Sequence, residues 1–202
     1  MPLKSYSKEQ REELKIQLLE NALSLYSKHG IKNVRLMDIL KTVGISKPFF
    51  YTFYDSVQDF VIQVIDFQWR KIDAIVETLI NSKGYTPEEK MRKLLYQVLN
   101  YKDHGLLVMT QEEEVWVRER IRDEEYITFM ESQINFFEKL LVMCEVAQEK
   151  INVKAFGNMI ITTILIHNSA TKSLPFIYLD VLDETADLQI ESLLTYLNTL
   201  KR

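Results

Sequence analysis

Between Met37 and Phe60 the chain reads MDILKTVGISKPFFYTFYDSVQDF, two short helical patterns hinged at Val43-Gly44-Ile45-Ser46. Gly44 can adopt the left-handed conformation that a sharp turn between helices needs, and Ser46 is a preferred N-cap, its hydroxyl accepting from a free backbone N–H. Pro48 falls in the first turn after that cap, where its missing N–H is no loss. Ahead of the hinge Leu36, Ile39, Leu40 and Val43 bury one face, and behind it the pattern is crowded with aromatics. The segment predicts a tight helix-turn-helix, the unit that sets one helix into a DNA groove.

The rest of the chain extends the helical pattern. Five glycines and four prolines punctuate 202 residues, and the segments between them predict an all-α protein of about nine helices. The first runs over about 8–28, with Leu14, Leu18, Ala22 and Leu25 on one face, and stops at Gly30. The second spans 34–42 with Asn33 as its cap, and the third runs from Ser46 to near Phe53. A fourth over 57–81, carrying Phe60, Val64, Phe67, Ile72, Ile75 and Leu79, is long enough to connect two domains. Thr86-Pro87-Glu88-Glu89 is a full capping box that starts a fifth helix, reaching about Lys102. A short sixth follows His104-Gly105, and the charged run 111–125 reads as a solvated face laced with i,i+4 pairs. An apolar seventh helix reaches Glu149, an eighth spans 153–172, Pro175 marks a break, and a ninth covers 179–200. The expected division is a helix-turn-helix head, 1–56, and a helical body, 57–202.

Charge divides along the same line. Residues 1–60 hold nine Lys/Arg and seven Asp/Glu, and the remainder holds 16 and 22. A mildly basic head on an acidic body fits a protein that meets phosphate at one end only. Cys144 is the single cysteine, and the polar start MPLKSYSKEQREELK has no signal-peptide core, which together predict a cytoplasmic protein. The strongly apolar run 159–166 is far short of the roughly 20 residues of a membrane span.

At this point residues 8–60 are seen to resemble the DNA-binding domain of the tetracycline-repressor (TetR) family of transcription regulators. The resemblance rests on Ala22, Gly30-Ile31, Asp38-Ile39, Val43-Gly44-Ile45-Ser46-Lys47, Tyr51 and Asp59-Phe60. Beyond residue 60 only helix number, length and order match. The resemblance implies a homodimer with the last two helices at its interface, a small-molecule effector held in the body, and a double-stranded DNA operator.

Within that frame the DNA-contact set is Arg35, Ser46, Lys47, Pro48, Phe49, Tyr51, Thr52 and Tyr54. Ser46 and Lys47 stand at the positive N-terminal end of the third helix, where hydroxyl, ammonium and backbone N–H groups meet phosphate. Tyr51 stands where the family usually places a backbone-reaching tyrosine, and Phe49 and Thr52 take outward positions suited to thymine methyls and base edges. The sequence departs from the family at Pro48, where glycine is common, at Tyr54, usually phenylalanine, and at Arg35 beside Val34, where Ser or Thr begin the second helix. Val57 replaces a common phosphate-binding lysine, so Arg35, Lys47 and Lys4 or Lys8 are expected to compensate.

Nothing in the body reads as catalytic. His29, His104 and His167 lack metal-site spacing, Cys144 lies in an apolar run without a histidine, and no phosphate loop or serine elbow occurs. No enzyme activity and no cofactor are expected. Tyr96, Tyr101, His104, Met109, Trp116, Tyr126, Phe129, Met130, Phe137, His167 and Asn168 are the candidate pocket residues, aromatic and adaptable with a few polar groups. Phe156, Met159, Ile160, Thr163 and Ile164, with Leu193 and Leu197, are the candidate dimer face, with Gly157 and Ala170 permitting close approach. The function expected is a ligand-responsive repressor. Its rivals are an activator or ligand-independent regulator of the same fold, and a helical interaction module whose turn motif is coincidental.

Overall fold

The computed structural model describes residues 6–100, 105–168 and 178–201. Expectations for Lys4, Tyr101, His104, Ala170 and Pro175, and for the side chain of Asn168, lie outside the described residues. Among those described there are nine α-helices and no strand: α1 (Lys8–His29), α2 (Leu36–Val43), α3 (Lys47–Phe50), α4 (Val57–Asn81), α5 (Pro87–Leu99), α6 (Gln111–Arg118), α7 (Asp123–Met143), α8 (Val153–Asn168) and α9 (Leu182–Leu200). None is long and apolar enough to cross a membrane. The fold is all-α, as the spacing of breakers predicts.

Capping chemistry decides many of the boundaries. Ser7 and Gln10 cap α1 reciprocally, Gln10 N–H donating to Ser7 Oγ at 3.2 Å and Ser7 N–H to Gln10 Oε1 at 2.9 Å. Thr86 and Glu89 do the same for α5, starting it at Pro87 as expected. A further box, Thr110 with Glu113, starts α6 at Gln111. The sixth helix therefore lies inside the charged run instead of ahead of it. Asn33 does not cap α2: it sits in a 3-10 turn, Ile31–Asn33, and its amide donates to the His29 carbonyl at 2.8 Å. Arg35 takes the N-cap place without a side-chain bond. Helix α7 stops at Met143, short of Glu149, because Glu145 turns to φ 57° and Val146 N–H returns to the Leu141 carbonyl at 3.0 Å. At the last helix, a 3-10 turn (Leu179–Val181) precedes α9.

The chain packs as two compact units, residues 1–71 with 101–122, and residues 72–100 with 123–202. In the first, α1 packs on α2 and α2 on α3. Leu18, Ala22, Leu23, Ile39, Leu40, Phe50, Phe60 and Val64 are buried there. Packing thus draws the start of α4 and the segment 105–122 into the head unit, whereas the sequence division ends it at residue 56. The second unit combines the end of α4 with α5, α7, α8 and α9 around one core that includes Leu95, Phe137, Leu141, Phe156, Ile190 and Leu197. Gly157 is used inside this core: a Cβ there would lie 2.6 Å from the Phe137 ring, so α7 and α8 approach over that ring. The glycine serves packing within the protomer and is not the contact point between copies that the sequence suggested.

Candidate nucleic-acid interface

The hinge forms as its residues dictate. Gly44 is left-handed at φ 74° and ψ 30°, and Gly44 N–H and Ile45 N–H both return to the Leu40 carbonyl, at 2.9 and 3.2 Å. Ser46 caps α3, its Oγ accepting from Phe49 N–H at 3.4 Å. Helix α3 is one turn long, shorter than the expected run to Phe53. After Phe50 the bonds tighten to i→i−3, Thr52 N–H to the Phe49 carbonyl at 3.0 Å and Phe53 N–H to the Phe50 carbonyl at 2.9 Å. A new cap then begins α4, Ser56 Oγ accepting from Asp59 N–H at 2.9 Å.

Phe50 anchors the turn. It is wholly buried, with ring centroids of Tyr54 at 5.1 Å and Phe60 at 5.2 Å. That places Ser46, Lys47, Pro48, Tyr51 and Thr52 outward, all exposed, and Arg35 is exposed as well. Hydroxyl, ammonium, phenol and the N-terminal end of α3 share one surface there.

Two of the expected contacts are placed differently. Tyr54 is 2% exposed, packs at 4.7 Å from Phe60, and its hydroxyl has no hydrogen-bond partner. Burial, then the nearby Asp59 and Glu12 carboxylates, push its phenol up to about 12. The aromatic core holds this ring where phenylalanine would serve, so Tyr54 is corrected from contact to core. Phe49 is half-buried, with Tyr6 at 4.9 Å, Phe53 at 5.0 Å and the Arg11 guanidinium at 5.5 Å. Its ring is partly covered by the chain's own N-terminal segment.

Arg11 escaped the sequence reading. Its guanidinium lies 4.8 Å from the Phe53 ring centroid and donates to Thr52 Oγ1 at 3.2 Å, while Thr52 Oγ1 donates to the Phe49 carbonyl at 2.7 Å. The Thr52 hydroxyl is thereby engaged on both sides. The one sequence signal was its place in the first turn of α1, which says nothing about a partner 41 residues on.

The candidate pocket residues divide between the two units. Met109 and Trp116 belong to the first and are half-buried, with the Arg120 guanidinium 4.5 Å from the Trp116 ring. In the second, Tyr126 and Phe129 are half-buried and Met130 is exposed on α7, Tyr96 hydrogen-bonds Asp187, and His167 Nε2 lies 2.8 Å from Asp183 Oδ1. Phe137 is a core residue, buried against Phe156 and Gly157, which corrects its assignment to a pocket wall. A groove of about 300 Å³ between α8 and α9 is lined instead by Met159, Thr163, Leu188, Gln189, Leu193 and neighbouring hydroxyls. Among the described residues no cluster of three His, Cys, Asp or Glu could hold a metal.

The candidate dimer residues also separate. Phe156, Ile160, Leu193 and Leu197 are at most 5% exposed and belong to the protomer's own core, and Thr163 is buried too. Their apolar spacing faces inward, correcting their assignment to an outer face. Met159 is 40% exposed and Ile164 half-buried; Leu188, at 62%, and Tyr196, at 44%, are the apolar side chains that α9 leaves outside.

No family model matches the chain, and no curated protein does. Solved structures do match over almost the whole length. NemR of E. coli, in its reduced form, aligns with TM-score 0.61 at 14% identity, covering 93% of this chain and 96% of that one. A TetR-family transcriptional regulator from Streptomyces coelicolor gives 0.60 at 13% identity, covering 95% and 97%. A TetR transcriptional regulator from Legionella pneumophila gives 0.59 at 15% identity, covering 98% of each chain. With its hinge, the nine helices among its described residues and their order, the chain has the fold of the TetR-family transcriptional regulators.

Proposed function

We propose that this protein is a DNA-binding transcription regulator that acts as a homodimer on a near-palindromic operator and represses until a small molecule enters its body. The observation that carries the reading is the exposed N-terminal end of α3. Ser46, Lys47, Pro48, Tyr51 and Thr52 stand outward on a turn fixed from behind by Gly44 and the buried Phe50. Lys47 and Ser46 set the turn against phosphate, Tyr51 reaches the backbone, and the Thr52 methyl and the uncovered edge of Phe49 read bases. Arg11 holds Thr52 and Phe53 in place from α1. A two-fold dimer would place two such turns about 34 Å apart, in successive major grooves. The effector acts by binding more tightly to the state in which the two heads no longer span both half-sites.

Gel shift with DNA flanking the protein's own gene, at two salt concentrations, tests the reading. Binding that weakens with salt is expected, and absence of binding at both concentrations would sink it. Lys47→Ala should weaken binding and reduce the salt slope by about 1.8, one phosphate contact from each protomer. Tyr51→Phe should weaken it without changing that slope by as much.

A further inference from the structure

Glu113 is a buried carboxylate that the DNA-reading surface does not use. It lies in the first turn of α6, 5% exposed. Oε2 closes the α6 cap, accepting from Thr110 N–H at 2.9 Å and from the Thr110 hydroxyl at 3.1 Å. Oε1 is left over from that cap, and it accepts from the backbone N–H of Ile31, 82 residues earlier, at 2.5 Å. None of these three donors is charged. The turn that receives it is shaped for the purpose: Gly30 has φ 81°, and a Cβ at Gly30 would lie 2.8 Å from Glu113 Oε1. Backbone conformation and space for the carboxylate both require glycine at this place. Beside it Lys32 pairs with Glu112 at 3.1 Å.

A second buried clamp fastens the same segment. The Gln68 amide on α4 pairs with both backbone groups of Leu107, donating to its carbonyl at 2.9 Å and accepting from its N–H. Residues 105–118 are thus strapped to the turn after α1 and to α4 by buried side chains. Along the chain the strap stands between α5, which ends at Leu99, and α7, which begins at Asp123; both belong to the other unit.

We propose that Glu113 is a positioning residue for DNA reading: a latch by which the strap holds the Gly30–Ile31 turn in place. The inference rests on the DNA-binding reading above. A carboxylate drawn partway off its donors would be buried and unpaired, so the latch has two stable states, docked on the turn or hydrated. Ile31 is itself buried, and α2 begins five residues beyond it, so the turn sets how α2 and the hinge sit on α1.

The test uses the full chain, hydrogen exchange at the Ile31 amide, and duplexes that the unaltered protein selects from a random pool. Glu113→Gln has the same size but keeps a single acceptor oxygen, so it cannot serve both Ile31 and Thr110, and Glu113→Ala removes both acceptors. The expected result is Ile31 exchange about tenfold faster and affinity for the selected duplex about tenfold weaker. Bound DNA should slow Ile31 exchange in the unaltered protein and not in the variant, a reciprocity that a merely structural role would not produce. Glu112→Gln, which loses only the exposed pair, should leave both readings within twofold. Ile31 exchange unchanged in both Glu113→Gln and Glu113→Ala overturns the latch, and faster exchange with DNA affinity within twofold overturns its role in reading. If the unaltered protein enriches no duplex, the DNA-binding reading falls and takes the role with it, while the exchange rates still report whether the latch forms.

Discussion

Tyr54 has the sequence position of a contact and the environment of a core ring. A hydroxyl buried without a partner costs about 1–3 kcal/mol relative to none. Tyr54→Phe should therefore leave stability unchanged or raise it by up to about that amount, read from urea unfolding, with DNA affinity within twofold. A tenfold loss of affinity would return Tyr54 to the contact set. Cys144 is a second residue whose surroundings decide its chemistry. Burial first, offset by Lys201 and reinforced by Glu145, pushes its thiol from 9.0 up to about 12. It should resist alkylation at pH 8 in the folded protein and react once the chain is unfolded. Phe49 and Thr52 show the same lesson in milder form: outward positions on the motif were legible, but their cover by Tyr6 and Arg11 was not.

At the scale of elements, helices whose ends are marked by local chemistry were read closely from sequence. The Thr86–Glu89 box and the Gly44 hinge placed α5 and the turn after α2, and the apolar period placed α4 at 57–81. Helix α6 was misplaced because its box, Thr110 with Glu113, sits in a run of charge that looks solvated in one dimension. Helix α3 was drawn too long because aromatic spacing continues past the residue where hydrogen bonding changes. Gly157 belongs to this scale as well, since it governs how α7 meets α8. Gly157→Ala should destabilise the protein by about 1–3 kcal/mol through overpacking against Phe137, measured by chemical denaturation. A neutral substitution would mean that the ring has room to move.

For the whole molecule, burial separates what holds a protomer together from what is left for a partner. For the proposed homodimer, Leu188→Glu should leave the fold intact and shift the protein toward monomer in light scattering, because Leu188 is exposed on the α8–α9 groove. Phe156→Ala should instead cost about 3–5 kcal/mol of protomer stability, as a large side chain lost from a closed core. The reverse pattern would restore Phe156 to the interface. Alkali should also act on the molecule as a whole. Burial holds the phenols of Tyr26 and Tyr54 at about 12, above their ordinary 10.0, as it does the Cys144 thiol above 9.0. Below about pH 8 these groups are neutral in both folded and unfolded chains and their contribution is fully present. Between about pH 8 and 12 the unfolded chain ionises first, the thiol ahead of the phenols, so the urea midpoint should fall across that window.

The sequence by itself determined the all-α class, the hinge, the long α4 and the outward set Ser46, Lys47, Pro48, Tyr51 and Thr52. Each of these follows from short-range rules of period, capping and backbone freedom, which act within a few residues. Only the tertiary structure decided that Tyr54, Phe137 and Phe156 are core, that Arg11 braces Thr52, and that Glu113 docks on Ile31. Those outcomes depend on pairs far apart in the chain, 41 residues in one case and 82 in another. An apolar or charged spacing says that a helix has a face, and only the packing of its neighbours says what that face meets.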